Sequence, residues 1–398
     1  MLGALLSETD ENVCFVGIDE CRYSIKWEHR LFNEQFANIL PTKWVRNMSF
    51  ASHLPSVLGE LQIKDAERSK YTFHAQTICN ELMRSLQQTD KAFKKAFDGL
   101  SLTGSYLDRL KLKTPDEFDL HMKLKLPFHI IPKRDILRPG FVFLFTSDAI
   151  DHPLVENSYV NHKRLQSWLR DGFTHVLLHE CKTINVDGET YTLKYGMKGY
   201  GCAHTIVASS NARKISFDLV PAFEFSYKDW PLDDPPVTPQ VRRDWPWFAI
   251  PQTKAPSDDR SFMVCAPHWE REMMTNKYNL KNTLRLMKAM RDVHKDQLPH
   301  LTSYMLKTVI LLELSNATDN LWQQNEGKTL VLMWSKLVQY FKKATLPYFL
   351  APNCNHFDRM NVTDFNECRQ KVDQLLTRLT SLANSPSTRK AVRKLFID

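Results

Sequence analysis

Glu117 and Asp119 stand two residues apart in a stretch where Phe118, Leu120, Met122, Leu124 and Leu126 alternate with Glu117, Asp119, His121, Lys123 and Lys125. Period-two alternation marks a strand, and residues i and i+2 of a strand leave the same face. Both carboxylates therefore project together, while the apolar set holds the other face in a core. Two carboxylates this close repel each other. A divalent cation between them removes that cost, and hard Mg²⁺ favours carboxylate and phosphate oxygens. A third acid on a neighbouring strand would complete a two-metal site. Asp218 is the candidate, a lone acid inside the apolar run from Ile215 to Ala222. Spacing alone favours a solvated strand face over a site.

The Gly104-Ser105 step upstream of Glu117 adds context. A Gly-Ser turn at a helix start offers backbone N–H groups and a hydroxyl to a triphosphate. The chemistry these residues could do together is nucleotidyl transfer. One ion would hold the triphosphate, another would activate the attacking ribose hydroxyl, and the pair would stabilise an in-line displacement.

The elements that must position these groups are readable in outline. Ala66, Phe73, Ile78, Leu82 and Leu86 recur at helical spacing, which predicts one long amphipathic helix from Lys64 to Lys95 with a basic outer face. A helix is expected near Asn157 to Arg170. A β-hairpin is expected over Thr183 to Tyr195, turning at Asp187-Gly188. Ile215 to Phe223 reads as a strand. Residues 230–257, rich in Pro, Asp and Trp, read as a long connection, and Trp245-Pro246-Trp247 reads as core packing or a stacking platform. Helices are expected near 278–293, 302–315, 329–344, 364–383 and 387–396. The fold class is α+β: a mixed catalytic lobe with a central twisted sheet and a long spine helix, then an all-helical C-terminal lobe. The domain limits are 1–58, an extension of unknown role; 59–257, the catalytic lobe; and 258–398, the helical lobe.

The 398 residues are 43% hydrophobic and 25% charged, within the range of a globular protein rather than a disordered one. The formal charge of +8 suits a polyanionic partner without requiring one. Eight cysteines lie scattered with no C-x-x-C pair, which predicts free thiols in a reducing compartment and no zinc site. No apolar run reaches membrane-spanning length and Met1 to Leu6 is too short for a signal peptide, so the expected place is the cytoplasm, away from membranes.

Four stretches together resemble one family. Leu102-Thr103-Gly104-Ser105-Tyr106 through Pro115-Asp116-Glu117-Phe118-Asp119-Leu120 is similar to the signature of the cyclic GMP–AMP synthase and Mab-21 nucleotidyltransferases. Lys214 to Val220 resembles their third-acid strand. Leu286-Met287-Lys288 and Ser303-Tyr304-Met305-Leu306-Lys307-Thr308 resemble their nucleotide-contacting helical lobe. The resemblance covers residues 60 to 398. It implies a bilobal enzyme that joins ATP and GTP into cyclic GMP–AMP, a second messenger for STING-type receptors in innate antiviral immunity. It implies two Mg²⁺ or Mn²⁺ ions on Glu117, Asp119 and Asp218. It implies ATP contacts from Ser105, Lys288, Ser303, Tyr304 and Lys307, and GTP contacts from Thr103, Asp218, Arg260 and Ser261.

The sequence departs from the vertebrate DNA sensor of that family. The sensor's His-Cys-Cys…Cys zinc insertion has no counterpart between Glu272 and Lys288, and His294 and His300 lack thiol partners. Insect members of the family share this absence, and the resemblance to those that respond to double-stranded RNA is closest. Lys64, Arg68, Lys70, Lys91, Lys94 and Lys95 then form one bank of an expected nucleic-acid groove, and Lys281 and Arg285 the other. A-form RNA is read through its phosphates, 2′-hydroxyls and shape, which basic side chains on a flat face can do. The alternative is a catalytically inactive Mab-21-like binding protein of the same fold. Its inactive members commonly lack one or more of the acids, whereas all three stand here.

Overall fold

The computed structural model describes residues 49–147, 150–254, 257–314 and 319–397. Most of the expected N-terminal extension, including Cys14 and Cys21, lies outside the described residues. The six described cysteines are free thiols.

Helix α1, Phe50–Leu61, packs against the helical lobe through Phe50, Leu54, Val57 and Leu61. The expected extension limit at residue 58 thus falls inside a packed helix. Helix α2, Asp65–Thr89, buries Ile78, Leu82 and Leu86 as their spacing predicts. The expected single helix to Lys95 is broken at Asp90, whose φ of −120° is not helical. The Asp90 carboxylate accepts the N–H groups of Ala92 (2.7 Å) and Phe93 (3.0 Å). It thereby caps a new helix, α3, Lys91–Ala96. A side-chain acceptor here outcompetes continuation of the backbone ladder.

Strand β1, Phe97–Leu102, leads into the short helix α4, Gly104–Leu107, and then β2, Glu117–Leu124. Strands β3, Ile131–Arg134, and β4, Phe141–Phe145, form the next hairpin. The helix expected from Asn157 begins later. Asn157 and Ser158 have φ of 51° and 65°. They make the turn between β5, Val155–Glu156, and β6, Tyr159–Val160. Two left-handed residues in succession suit a tight hairpin and cannot start a helix. Asn161 then caps α5, His162–His175.

The predicted hairpin is present as β7, Thr183–Val186, and β8, Glu189–Lys198, turning on Asp187-Gly188 with φ of 50° and 77°. Strand β9, His204–Ser209, follows, and then β10, Lys214–Phe225. The stretch expected as connection contains α6, Pro239–Asp244, and β11, Trp247–Ile250. Trp247 is fully buried, and its indole N–H donates to the Ser226 carbonyl at 2.9 Å. Trp247 is therefore core, while Trp245 is half-buried and stacks on His268 with ring centroids 4.7 Å apart. Strand β12, Ser261–Cys265, closes the sheet region, and α7, Pro267–Met273, leads out of it.

The second lobe holds α8, Leu280–Val293; α9, Ser303–Leu314; and α10, Glu326–Lys342. A small hairpin, β13, Pro347–Tyr348, and β14, Ala351–Asn355, interrupts the expected all-helical pattern. Tyr348 on that hairpin is buried and donates to the Val264 carbonyl of the sheet at 2.7 Å. Helices α11, Val362–Asn384, and α12, Arg389–Phe396, complete the chain.

Strand β10 organises the sheet. Its first half lies between antiparallel β9 and parallel β2, and its last residues pair with β11. One apolar core runs through both lobes. Among the described residues no helix is long and apolar enough to cross a membrane.

Candidate active site

The parallel pairing of β2 and β10 puts Asp218 directly beside Asp119, and Ser216 beside Glu117. Glu117, Asp119 and Asp218 each offer a carboxylate oxygen, and these oxygens all lie within 4.8 Å of one another. The apolar partners Phe118, Leu120 and Phe217 are buried on the opposite face. The structure thus brings together the three acids that the sequence suggested.

Their electrostatics follow from that crowding. Burial, followed by the charges of Glu117 and Asp218, pushes the Asp119 carboxyl up to about 6. Burial also raises Asp218, against a 2.6 Å hydrogen bond donated by the Thr205 hydroxyl. Lys111 supplies partial relief at 2.5 Å from Glu117 and 3.5 Å from Asp116. Three converging hard-oxygen donors whose negative charge Lys111 only partly offsets fit divalent cations of the Mg²⁺ or Mn²⁺ type.

The Gly104 backbone lies against the acids. Its φ is +63°, and a Cβ there would stand 1.9 Å from Asp119 Oδ2. Only glycine allows this approach, so the Gly-Ser step is a steric requirement of the carboxylate beside it. The Ser105 backbone N–H donates to the Asp119 carboxylate, and the Thr103 N–H donates to the Asp119 carbonyl at 2.8 Å.

Glu117 and Asp119 line a cleft of about 530 Å³ between the lobes, and Asp218 stands beside Asp119 through the strand pairing. Thr103, Ser105, Lys288, Ser303, Tyr304 and Lys307 all line it, from opposite sides. Lys288 donates to the Leu110 carbonyl at 2.9 Å, and burial lowers its pKa to about 8. Lys307 lies between Asp108 (2.6 Å) and Glu270 (2.9 Å). Burial opposes its charge, yet the two carboxylates hold its pKa above the ordinary lysine value. Tyr304 donates to Glu270 at 2.5 Å, and Ser303 accepts from Arg291 at 2.7 Å. His121 also lines the cleft, buried beside Phe248, and burial depresses its pKa to about 3, so it is neutral at pH 7.

Arg260 and Ser261 are not brought to the cleft. Ser261 is buried and donates to Asp135 at 2.8 Å, and Arg260 pairs with Asp258 at 2.8 Å. The same strand reaches the cleft at its other end, through Met263 and Cys265. Sequence reasoning missed Asp108, Lys111, Thr205 and Glu270. Asp108 sits four residues after Gly104, one helical turn away, which is a readable signal. Thr205 meets Asp218 only through the β9–β10 register, which leaves no trace in linear spacing.

The eight basic residues divide into two groups. Arg285 donates to the Arg109 carbonyl at 2.8 Å, and burial followed by the nearby Arg68 charge lowers its pKa. Lys281 feels Arg109 and Arg285 in turn. Lys64, Arg68 and Lys70 stand at the start of α2 on this side. Lys91, Lys94 and Lys95 stand beyond its far end, after 25 residues of helix. That is a separation of roughly 35 Å.

The model of the Mab-21 protein nucleotidyltransferase domain matches residues 106–276, and that of the Mab-21 protein HhH/H2TH-like domain matches residues 279–374. The chain belongs to the Mab-21 nucleotidyltransferase family. A cyclic GMP-AMP synthase-like protein of Drosophila melanogaster is 47% identical over 88% of this chain and 99% of its own length. A cyclic GMP-AMP synthase-like receptor of Drosophila eugracilis is 38% identical over 86% of this chain and 94% of its own length. The cyclic GMP-AMP synthase-like receptor 1 of Drosophila melanogaster is 30% identical over 75% of this chain and 84% of its own length. The two family domains meet between α7 and α8, beside the cleft that holds the acids.

Proposed function

We propose that this chain joins ATP and GTP into cyclic GMP–AMP in the cleft between its lobes, with double-stranded RNA as the activator. The product would be a second messenger read by a STING-type receptor in antiviral defence. The observation that supports catalysis, over the inactive binding-protein reading, is the convergence of Glu117, Asp119 and Asp218 within 4.8 Å, beside the Gly104 backbone. A fold retained only for binding has no need to hold three repelling carboxylates together with Asp119 at a pKa near 6.

The three acids would hold two Mg²⁺ or Mn²⁺ ions. When bound, these would supply Lewis-acid stabilisation of the negative charge on the phosphates and on the attacking oxygen. The chain's own residues do the rest. Ser105 and the backbone around it receive the ATP phosphates at the edge of the acid cluster. Lys288 and Lys307 contribute positive charge from the helical lobe, and Ser303 and Tyr304 position ATP beside them. Thr103 faces the GTP. Thr205 fixes the orientation of the Asp218 carboxylate through its hydrogen bond. In each of the two joining steps a ribose hydroxyl attacks an α-phosphorus, an O–P bond forms, the bond from that phosphorus to the bridging oxygen breaks so that pyrophosphate departs, and the hydroxyl proton is released to water. Correct placement of two substrates against fixed charge supplies much of such a rate gain.

The test is incubation of purified protein with ATP, GTP and Mg²⁺ or Mn²⁺, alone, with double-stranded RNA and with double-stranded DNA. Cyclic GMP–AMP formed only with RNA supports the reading. No cyclic product under any condition rules out the enzyme. Product without nucleic acid, or only with DNA, rules out RNA as the activator. Glu117→Ala with Asp119→Ala should abolish product in a folded protein, since both acids lie off the core face.

A further inference from the structure

A second cavity lies at the opposite end of β2, near Lys125, roughly 20 Å from Asp119 along the strand. It encloses about 690 Å³, more than the roughly 530 Å³ of the cleft between the lobes. That size is typical of a small-molecule site.

Its lining differs in kind from that of the cleft. The floor is aliphatic, with Leu126 and Leu154 buried beneath it. Among the described residues no carboxylate, hydroxyl or amide side chain lines it. Trp168 forms one wall, but its indole N–H already donates to Asp90 at 2.8 Å. His152 and Arg164 line it as well, but His152 Nδ1 accepts from the Leu154 N–H at 3.2 Å, and Arg164 donates to the Val155 carbonyl at 3.1 Å and pairs with Glu156, which leaves little polar capacity inside to read a base or a sugar.

The rim, in contrast, is cationic. Lys91 and Lys95 lie one helical turn apart on α3, and Lys125 follows β2 on the adjoining side. All three are exposed at the mouth. Asp151, next to His152 in the chain, is exposed, while two other acids near the cavity are already bonded. Asp90 caps α3 and holds Trp168, while Glu156 pairs with Arg164 at 2.8 Å and accepts from Asn161 at 2.6 Å. Like charges one turn apart repel mildly, and an anion between them removes that repulsion. An apolar interior beneath a cationic mouth is complementary to a molecule with an aliphatic tail and a single anionic head.

We propose that this cavity binds a soluble single-chain anionic amphiphile, a fatty-acid-like carboxylate. Its tail lies over Leu126 and Leu154, and its head lies among Lys91, Lys95 and Lys125. This does not depend on the catalytic reading.

The test is isothermal titration of the full chain with dodecanoate below its micellar concentration. Wild type should bind saturably at one site. Lys91→Glu with Lys95→Glu should weaken binding at least tenfold. Ala92→Trp, which fills the cavity from an exposed position, should abolish binding while circular dichroism stays native. Dodecanol, lacking the charge, and inorganic phosphate, lacking the tail, should each bind at least tenfold more weakly. Absence of saturable dodecanoate binding overturns the proposal, as does unchanged affinity in both variants. Phosphate binding as tight as dodecanoate reduces the site to a charge patch and also overturns it. Binding only to anionic vesicles, or loss of RNA binding in the lysine variant when wild type takes up no dodecanoate, assigns the lysines to another surface and has the same consequence.

Discussion

Asp119 and Asp218 face each other across the parallel pairing of β2 and β10, so the two carboxylates share one face of the sheet at the same level. With Glu117 added, three acids lie together, and among the described residues Lys111 offers the close counter-charge. The arrangement opposes stability in the metal-free protein. For Asp119 the sign is direct. Its carboxyl is raised from an ordinary 3.8 to about 6, so the folded state holds the proton longer than the unfolded one. Stability is therefore lost as pH rises from about 4 to about 6 and stays lost above it.

Asp119→Asn should accordingly stabilise the metal-free protein at pH 7 by about 3 kcal/mol while abolishing product. Thermal melts in chelator should show the gain above pH 6 and its disappearance near pH 4. Mg²⁺ should raise the melting temperature of the wild type and leave that of the variant nearly unchanged. A variant less stable than the wild type at pH 7 would contradict the strained-carboxylate account.

Gly104→Ala tests the steric side of the same contact. The new Cβ would lie 1.9 Å from Asp119 Oδ2, at a residue whose φ is +63°. The acid must move or the turn must open. A displacement of about an ångström in a metal ligand should lower kcat by roughly 100-fold or more, with a circular dichroism spectrum like that of the wild type. Ser105→Ala, which leaves the backbone free to keep its path, should cost less.

Much of this site was legible in the sequence because its signals are local. Strand alternation placed Glu117 and Asp119 on one face, and the isolated acid in an apolar run marked Asp218. What escaped was tertiary. The pairing register that sets Thr205 against Asp218 has no linear signature. Asp108 and Glu270 meet on Lys307 only through the packing of the two lobes, which linear spacing does not show. The long-helix expectation failed at Asp90 because one side-chain cap changed the backbone path without disturbing the apolar pattern on either side. The Trp-rich connection hid β11 because Pro, Asp and Trp mask a four-residue strand.

Lys288 should impose a pH limit on ATP binding. Burial lowers its pKa to about 8 in the nucleotide-free protein, so it is mostly charged at pH 7 and mostly neutral at pH 9. ATP affinity should fall as pH rises through 8, apart from any change in the nucleotide itself. Lys288→Arg, charged throughout, should bind ATP with a flatter profile over pH 7 to 9. Equilibrium binding with a non-hydrolysable ATP analogue measures both.

Lys307, Asp108 and Glu270 form a buried triad whose members depend on one another. Lys307→Met leaves two carboxylates facing each other, and Asp108→Ala leaves the lysine with one partner. Each single change should destabilise the fold by about 3 kcal/mol, as expected for breaking a buried pair. The double variant should cost less than the sum of the two. Urea titrations of the four proteins give the coupling energy directly, and strict additivity would show that the pair is not energetically linked.

The division of the basic residues yields a prediction about RNA. Arg68, Lys281 and Arg285 lie close enough to act on one another, and Lys64 stands one turn before Arg68, whereas Lys94 stands beyond the far end of α2. On the proposed reading, a duplex lying across the first group would have its phosphates contacted by Lys64 and Lys281 and no bases read. Lys64→Glu with Lys281→Glu should weaken binding of every duplex sequence alike and reduce the slope of log affinity against log salt by about 2. Lys94→Glu should leave both the affinity and the slope near their wild-type values. Arg285 is a poorer choice for the same test, because its bond to the Arg109 carbonyl also props the turn that carries Leu110 to Lys288. Its loss should therefore reduce turnover even where RNA is saturating. Fluorescence anisotropy over a salt series separates the two effects. Equal losses for Lys94→Glu and for the Lys64–Lys281 pair would show that the duplex follows the whole length of α2 instead of crossing its first turns.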